Sequence, residues 1–383
     1  MKPADFLPNA PGRIIRAKMG YWTFIPNPLP PEITWTAELV SLLAEAERSL
    51  AQLTAIGAGF PNPHIMVKPF IHMESVLSSR IEGTRTSLEE LYKYEAVQLS
   101  FLPEAPDARE VYNYVQALDY GLQRLAQLPV SLRLICELHA RLMQGVRGDQ
   151  WTPGEFRRTQ NWIGSPGSTI ETATFVPPPV EEMTLALGQL ELFIHAPSNL
   201  PTLARLGMIH YQFEAIHPFL DGNGRVGRLL LSLLLTEWKL LPLPLLYLSA
   251  YFEANQAEYY TRLLQVSQRG DWEGWLVFFL TGIRDQALEA IKRVRAFQAL
   301  RLRYQSLLSK ERDAGRLMKV VDFLIGQPLV SIRQVQAGLE VADFKIAQRY
   351  VKKLEKVGIL REVTGRLRNR LYREDDIMKI VGG

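Results

Sequence analysis

Apolar residues recur at spacings of three and four over most of the chain, and strand-like alternation is scarce. This pattern predicts helices over 36–56, 110–128, 131–144, 180–195, 201–216, 225–240, 255–268 and 272–309. Another runs through 73–81 and stops at Gly83, a typical C-terminal signal. Thr86 with Glu89, or Ser87 with Glu90, can form a capping box that restarts a helix. The expected fold class is therefore mostly α. Two stretches break the pattern. Segment 21–33 is too rich in proline to be helical and should run extended over the surface. Segment 162–177, WIGSPGSTIETATFVP, sets turn residues between β-branched ones and predicts a hairpin of two short strands.

The chain from 316 changes character. RLMKVVDFLIG reads as a short helix, Ser331 can cap IRQVQAGLE, and DFKIAQRYVKKLEKVG makes a longer helix. ILREVTGRLRNRLYRE alternates and turns at Gly365 like a two-stranded wing. Three helices with a β-ribbon predict a winged helix-turn-helix over 316–383. Charge follows the same division. The net charge is +4, yet residues 291–383 hold 21 Lys and Arg against 10 Asp and Glu, a net of +11, so residues 1–290 carry −7. A mildly acidic body joined to a basic tail suggests two units with different partners.

At 47% hydrophobic and 22% charged over 383 residues, the composition is that of a globular protein, not a disordered or collagenous one. One cysteine, Cys136, excludes a disulfide framework or a Cys-rich zinc site and fits a reducing, cytoplasmic setting. The N-terminal segment has no apolar h-region, so no signal peptide is expected. The apolar run 229–248 is broken by Glu237, Lys239, Pro242 and Pro244; it reads as a buried helix ending in a turn, so no membrane partner is expected.

The densest polar cluster interrupts an apolar stretch at IHPFLDGNGRVGRLLL, residues 216–231, between two helical segments. Gly222 and Gly224 allow positive φ and leave the backbone bare, so successive N–H groups can form an anion nest at the head of the next helix. Arg225 and Arg228, three apart, share a helix face and can fork onto phosphate oxygens. Asp221 at the rim could hold Mg²⁺ against those phosphates, and His217 could take a proton near neutral pH. The glycines also match a dinucleotide fingerprint, but that needs a preceding strand and a βαβ unit, which the pattern lacks. A Walker loop is excluded because no glycine precedes a lysine. The plain alternative, a core histidine beside a tight turn, would not require Asp, Asn and two Arg in the same loop.

HPFLDGNGRVGR resembles the Fic (filamentation induced by cAMP) family signature HxFx(D/E)GNGRxxR at every fixed position. The stretches 21–31 and 154–179 (GEFRRTQNWIG…FVPPP) also look like that family's N-terminal region and flap, so the resemblance spans roughly residues 21–284. It implies an enzyme that moves AMP from ATP to a Tyr, Thr or Ser hydroxyl of a target protein, with Mg²⁺, the chain itself being one candidate acceptor. Carried over, His217 is the general base, Asp221 binds Mg²⁺, and Gly222, Asn223 and Gly224 hold the α- and β-phosphates. Arg225 supports the same phosphates, Arg228 grips the γ-phosphate, and Phe219 anchors the loop in the core. The hairpin, with Ile163, Thr174, Phe175 and Val176, becomes a flap that registers a target segment by strand addition.

The resemblance also implies a brake: Ser78 and Glu82, in SSRIEG, match (S/T)xxxE(G/N) on an N-terminal helix, where a carboxylate paired with Arg228 removes the guanidinium that the γ-phosphate needs. The same glutamate could instead orient water for AMP removal. Asn255 with Tyr259 or Tyr260 resembles the family's base-side residues, against a plain helix cap with core tyrosines. The expected domains are an N-terminal region 1–109 with the inhibitory helix at about 67–83, a Fic core 110–290, a helical linker 291–315 and the winged helix 316–383. Competing readings are a kinase-like, other nucleotidyl or phosphocholine transfer, and a DNA-binding regulator. The latter would use Lys345, Arg349, Lys352 and Lys353 with Arg366, Arg368 and Arg370 of the wing. Winged helices also serve target docking and dimerisation, which keeps a homodimer open.

Overall fold

The computed structural model describes residues 1–60, 62–97, 106–146, 148 and 150–382. It opens with a hairpin of β1 (Gly12–Arg16) and β2 (Trp22–Pro26), paired from Gly12↔Pro26 to Arg16↔Trp22. Helices α1 (Ala37–Ala58), α2 (Val67–Ile81), α3 (Leu88–Val97), α4 (Pro106–Arg124), α5 (Leu132–Leu142), α6 (Val180–His195), α7 (Thr202–Ile216) and α8 (Asn223–Glu237) follow. Next come α9 (Ser249–Ala254), α10 (Gln256–Arg269) and the 37-residue α11 (Trp272–Leu308). The tail contains α12 (Ala314–Gly326), β3 (Leu329–Ser331), α13 (Ile332–Gly338), α14 (Phe344–Lys356), β4 (Arg361–Glu362), β5 (Leu371–Arg373) and α15 (Asp375–Gly382). Its three strands form an antiparallel sheet in the order β3-β5-β4.

Local signals explain the helix starts. Thr36, Ser131, Asp271 and Asp343 each accept a backbone N–H at the head of α1, α5, α11 and α14. Ser87 and Glu90 form the expected reciprocal box at α3, and Ser331 with Gln334 forms another at α13. Gly83, at φ +97°, turns the chain out of α2.

α7 and α8 make the centre of the core: 203–216 and 225–235 are almost wholly buried. α8 packs against α4, α5, α7 and α2, while α1 lies along α11. Among the described residues no helix is long and apolar enough to cross a membrane. The tail touches the body directly: Lys68 on α2 donates to Gln327 at 2.6 Å, and Arg373 on β5 pairs with Glu89 on α3 at 3.1 Å.

Several expectations change. Segment 21–33 is extended at its start but not laid over the surface: Thr23, Phe24 and Ile25 are buried, and β2 pairs with β1, which the sequence pattern missed. Gly12 lies so close under the Phe24 ring that a Cβ there would fall 2.4 Å from it. The hairpin over 162–177 reduces to one bridge, Ile163↔Phe175, because turns at Ser165–Ser168 and Thr169–Thr172 take up the residues between. α4 runs through the 109/110 boundary. β3 and α15 were not anticipated.

Candidate active site

α7 ends at Ile216, and His217 turns the chain with φ +49°, ψ +63°, a left-handed conformation unusual for a residue with a side chain. Gly222 makes a second such turn at φ +77° and caps α8 without a side-chain bond. Among the described residues no side chain caps the first N–H groups of α8 there, the arrangement an anion favours. α8 begins at Asn223, so Gly224 lies in its first turn and carries no positive φ, contrary to expectation.

The loop between these turns is braced from below. The Asn223 amide accepts from the Phe219 N–H and donates to its carbonyl, both at 2.8 Å. Its side chain is thus a loop brace, and only its backbone is available to a phosphate. Phe219 is fully buried and stacks on the His139 ring, with centroids 3.8 Å apart and planes 7° off parallel. The Gly154 N–H donates to His139 Nδ1 at 2.9 Å, so Nε2 carries the proton and donates to the Asp221 carbonyl at 3.1 Å. Asn161 Nδ2 donates to the carbonyls of Phe219, at 2.7 Å, and His217, at 3.2 Å.

The His217 imidazole faces the turn. Nδ1 meets the Glu214 carbonyl at 3.2 Å, which can only accept, so Nδ1 holds the proton and Nε2 keeps its lone pair. Burial, aided by the nearby Arg157 cation, pushes its pKa down to about 4, leaving it neutral at pH 7. Asp221 is partly exposed; its Oδ1 accepts from Gly222 N–H at 2.7 Å, and Oδ2 faces Gly148, where a Cβ would fall 2.8 Å away. Such a single carboxylate beside an uncapped helix start fits Mg²⁺, which takes most of its ligands from water and phosphate.

The two arginines diverge. Arg225 is buried, pairs with Glu110 of α4 at 3.3 Å and reaches the Met143 sulfur at 3.5 Å. Arg228 turns to α2: Nε donates to Ser78 Oγ at 2.9 Å, and Nη2 to the Ser78 carbonyl at 3.0 Å and Glu82 Oε1 at 2.6 Å. Burial alone would raise the Glu82 pKa, but the Arg228 guanidinium outweighs it and the carboxyl titrates below its usual range. The carboxylate lies directly over the bare turn, since a Cβ on Gly224 would fall 2.3 Å from Glu82 Oε1. Beneath it, buried Glu74 accepts from Ser249 Oγ at 2.5 Å and from the Tyr114 hydroxyl at 3.1 Å, tying α2 to α9 and α4. Glu214 Oε1 is buried without a hydrogen-bond partner among the described residues, and burial pushes its pKa up to about 7.

The base-side candidates are placed differently from one another. Tyr259 is 1% exposed, its hydroxyl bonds His210 Nε2 at 2.7 Å and lies in the field of Arg228, and its ring stacks on Phe252, so its ring is packed in the core. Asn255 bonds back to the Tyr251 carbonyl at 2.9 Å between α9 and α10. Tyr260, nearly half exposed, also lies in the field of Glu82 and Arg228. In the flap, Thr174 is exposed while Phe175 and Val176 are buried, and the Val176 carbonyl accepts from Phe24 N–H at 3.0 Å. On that side the flap is already joined to β2. His139, Asn161, Arg157 and Glu74 were missed. Arg157 and Asn161 stand within the GEFRRTQNWIG stretch, the only signal that could have found them.

Comparison with known proteins agrees with this architecture. Residues 40–123 match the Fic/DOC family N-terminal domain and residues 129–235 the Fic/DOC family domain. The protein adenylyltransferase Fic of Drosophila grimshawi is 30% identical over 165 residues, which is 42% of this chain and 30% of that protein. Its namesake in Drosophila willistoni is 26% identical over 291 residues, 73% of this chain and 54% of that protein. The chain thus spans at most about half the length of these curated relatives. A Fic family protein of Desulfovibrio desulfuricans G20 shares the fold at a TM-score of 0.59 and 20% identity, covering 90% of this chain and 98% of that one. Fic-1 of C. elegans gives 0.51 and 22%, covering 68% and 74%. With the Fic/DOC family N-terminal domain and the Fic/DOC family domain matched in order over residues 40–123 and 129–235, this chain belongs to the Fic/DOC family.

Proposed function

We propose that the chain is a protein adenylyltransferase that transfers AMP from ATP to a hydroxyl of a target protein and is held back by its own Glu82. One observation carries this reading: a neutral imidazole with a free Nε2 stands beside a bare helix N-terminus whose anion position is filled by an internal carboxylate. In the transfer, the hydroxyl oxygen forms a bond to Pα as the bond from Pα to the bridging oxygen breaks. The hydroxyl proton passes to His217 Nε2 and pyrophosphate leaves. The N–H groups of Gly224 and Arg225 at the head of α8 and the Arg228 guanidinium stabilise the leaving charge. Mg²⁺, held by Asp221, would offset the charge of the phosphates. The relatives' printed names support the same activity at modest identity.

Autoinhibition is supported by the fork from Arg228 to Ser78 and Glu82: a γ-phosphate would need the position and the guanidinium that Glu82 holds. The flap is supported as a target site by its largely exposed segment 162–172, which includes the exposed Trp162 and Ile163. The decisive test is label transfer from α-³²P-ATP, lost in His217→Ala. Transfer of a γ label instead would establish a kinase-like reaction, and release of AMP from a labelled target would establish the reverse activity.

A second reading concerns the tail, taken as a winged helix-turn-helix that docks DNA. Exposed Lys345, Arg349 and Lys352 on α14 and Arg366, Arg368 and Arg370 beyond β4 favour it. Lys353 is engaged with Asp313 at 3.2 Å and Glu311 at 3.4 Å, which removes it from that surface. A gel shift whose affinity falls with salt would support this reading.

A further inference from the structure

One cation of the core lacks an ion pair among the described residues. Arg157 is 1% exposed, yet its guanidinium meets carbonyls: Nε donates to His217 O at 3.0 Å, Nη1 to Thr159 O at 3.2 Å and Nη2 to Pro178 O at 2.5 Å. Its own N–H donates to the Pro218 carbonyl at 2.9 Å. Burying a charge without a counter-ion is unfavourable, and packing alone would be served by an apolar side chain. Burial draws its pKa down to about 10, so it stays charged at neutral pH.

The carbonyls it holds lie on different segments. His217 carries the base, and Pro178 lies where the flap segment returns to α6. Four residues on, Asn161 reaches the same His217 carbonyl. His217 is in the left-handed region, a conformation that surrounding contacts must impose on a residue with a Cβ. Its carbonyl is gripped by two donors from one segment.

We propose that Arg157, assisted by Asn161, is a positioning residue for the AMP transfer: it fixes the His217 carbonyl and ties the catalytic loop to the flap that receives the target hydroxyl. This rests on the proposed function. The guanidinium also lies close enough to disfavour an imidazolium, which keeps Nε2 available. Glu82 at the end of α2 acts on the ring in the opposite sense, Glu214 meets it through its carbonyl, and the Tyr21 hydroxyl faces Arg157 from the β1–β2 hairpin.

Arg157→Lys keeps the charge and loses the fork, whereas Arg157→Gln loses both. In full-length protein carrying Glu82→Gly, each should lower kcat on the order of 10²-fold, as a misplaced base does, with little change in KM for ATP. Nitrogen-15 NMR of histidine-labelled protein, with the His217 signal assigned from His217→Ala, reads the ring without reference to activity. Its pKa should rise in the Gln variant and hold in the Lys variant. Should an Arg157 variant not fold, Asn161→Ala retains the cation and should lower kcat without moving the ring pKa. An unmoved His217 titration in Arg157→Gln, or undiminished kcat in both Arg157→Lys and Asn161→Ala, overturns the proposal. A titration that moves as expected, in a Glu82→Gly parent that transfers no label, supports the anchor and sinks the AMP-transfer reading instead.

Discussion

Replacing Glu82 by glycine removes one bond and clears one space. The lost contact is the 2.6 Å charge-assisted bond to Arg228, and the cleared space is the anion position over Gly224. Arg228 keeps both bonds to Ser78, so its guanidinium stays in place with one N–H free to take a phosphate oxygen. A hydrogen bond to a charged group contributes about 1.5–3 kcal/mol. If productive ATP must first break it, the variant should transfer AMP about 10- to 100-fold faster. Glu82 lies just past the last residue of α2, at φ −87°, ψ +4°, so glycine should cost little stability. The assay is initial-rate transfer from α-³²P-ATP to the protein itself and to a lysate, with thermal melting as a folding control. Glu82→Gln, which loses the charge and keeps the shape, should fall between parent and glycine variant. A folded Glu82→Gly protein that binds ATP but transfers at the parent rate would refute the brake.

Gly224→Ala puts a Cβ 2.3 Å from Glu82 Oε1 and 2.8 Å from Arg228 Nη1, so in the Glu82→Gly background it should weaken ATP binding without lowering the melting temperature; calorimetric titration checks this. Phe219→Ala removes the fully buried ring under the loop and should cost about 3–5 kcal/mol in urea unfolding; a loss below 1 kcal/mol, on the same scale, would contradict the packing described. Unfolded histidine protonates near 6.5, but burial holds His210 down to about 3, so between those values the unfolded state binds more protons. Stability should therefore fall as pH drops from about 6.5 toward 3, and urea midpoints at neutral and acid pH should converge in His210→Gln.

The helices were legible because each buries one face: the 3.6 period sets α6 at 180–195 as expected and the other long helices within four residues at either end, except α2, which starts six residues earlier than expected. The loop that carries the candidate chemistry was legible because glycines, Asp, Asn and two Arg stand together in one window, and Glu82 through a short motif at a helix end. What escaped depends on distant segments. His139 acts by stacking on a residue 80 positions later, and Arg157 by reaching a carbonyl 60 positions away; no local spacing signals either. The short strand β3 is set by its partner β5, not by its own three residues. Tyr259 read as a base-side residue only through its resemblance to the family pattern, and its ring is packed in an aromatic cluster with Phe252, Trp275 and Phe278, which no local spacing signals.

The step in net charge at residue 291 falls inside a single rod, α11, whose far half buries Ile291, Val294, Phe297, Leu300, Tyr304 and Leu308. Severing the chain there would strip a shared wall from both halves. The basic piece would keep the end of α11 on which α12 and α15 lean but would lose the packing of α12 and α15 on α2, and the acidic piece would bare the matching face of α2. Either fragment produced alone should clump, so a change in electrostatic character is no guide here to where the polypeptide can be divided.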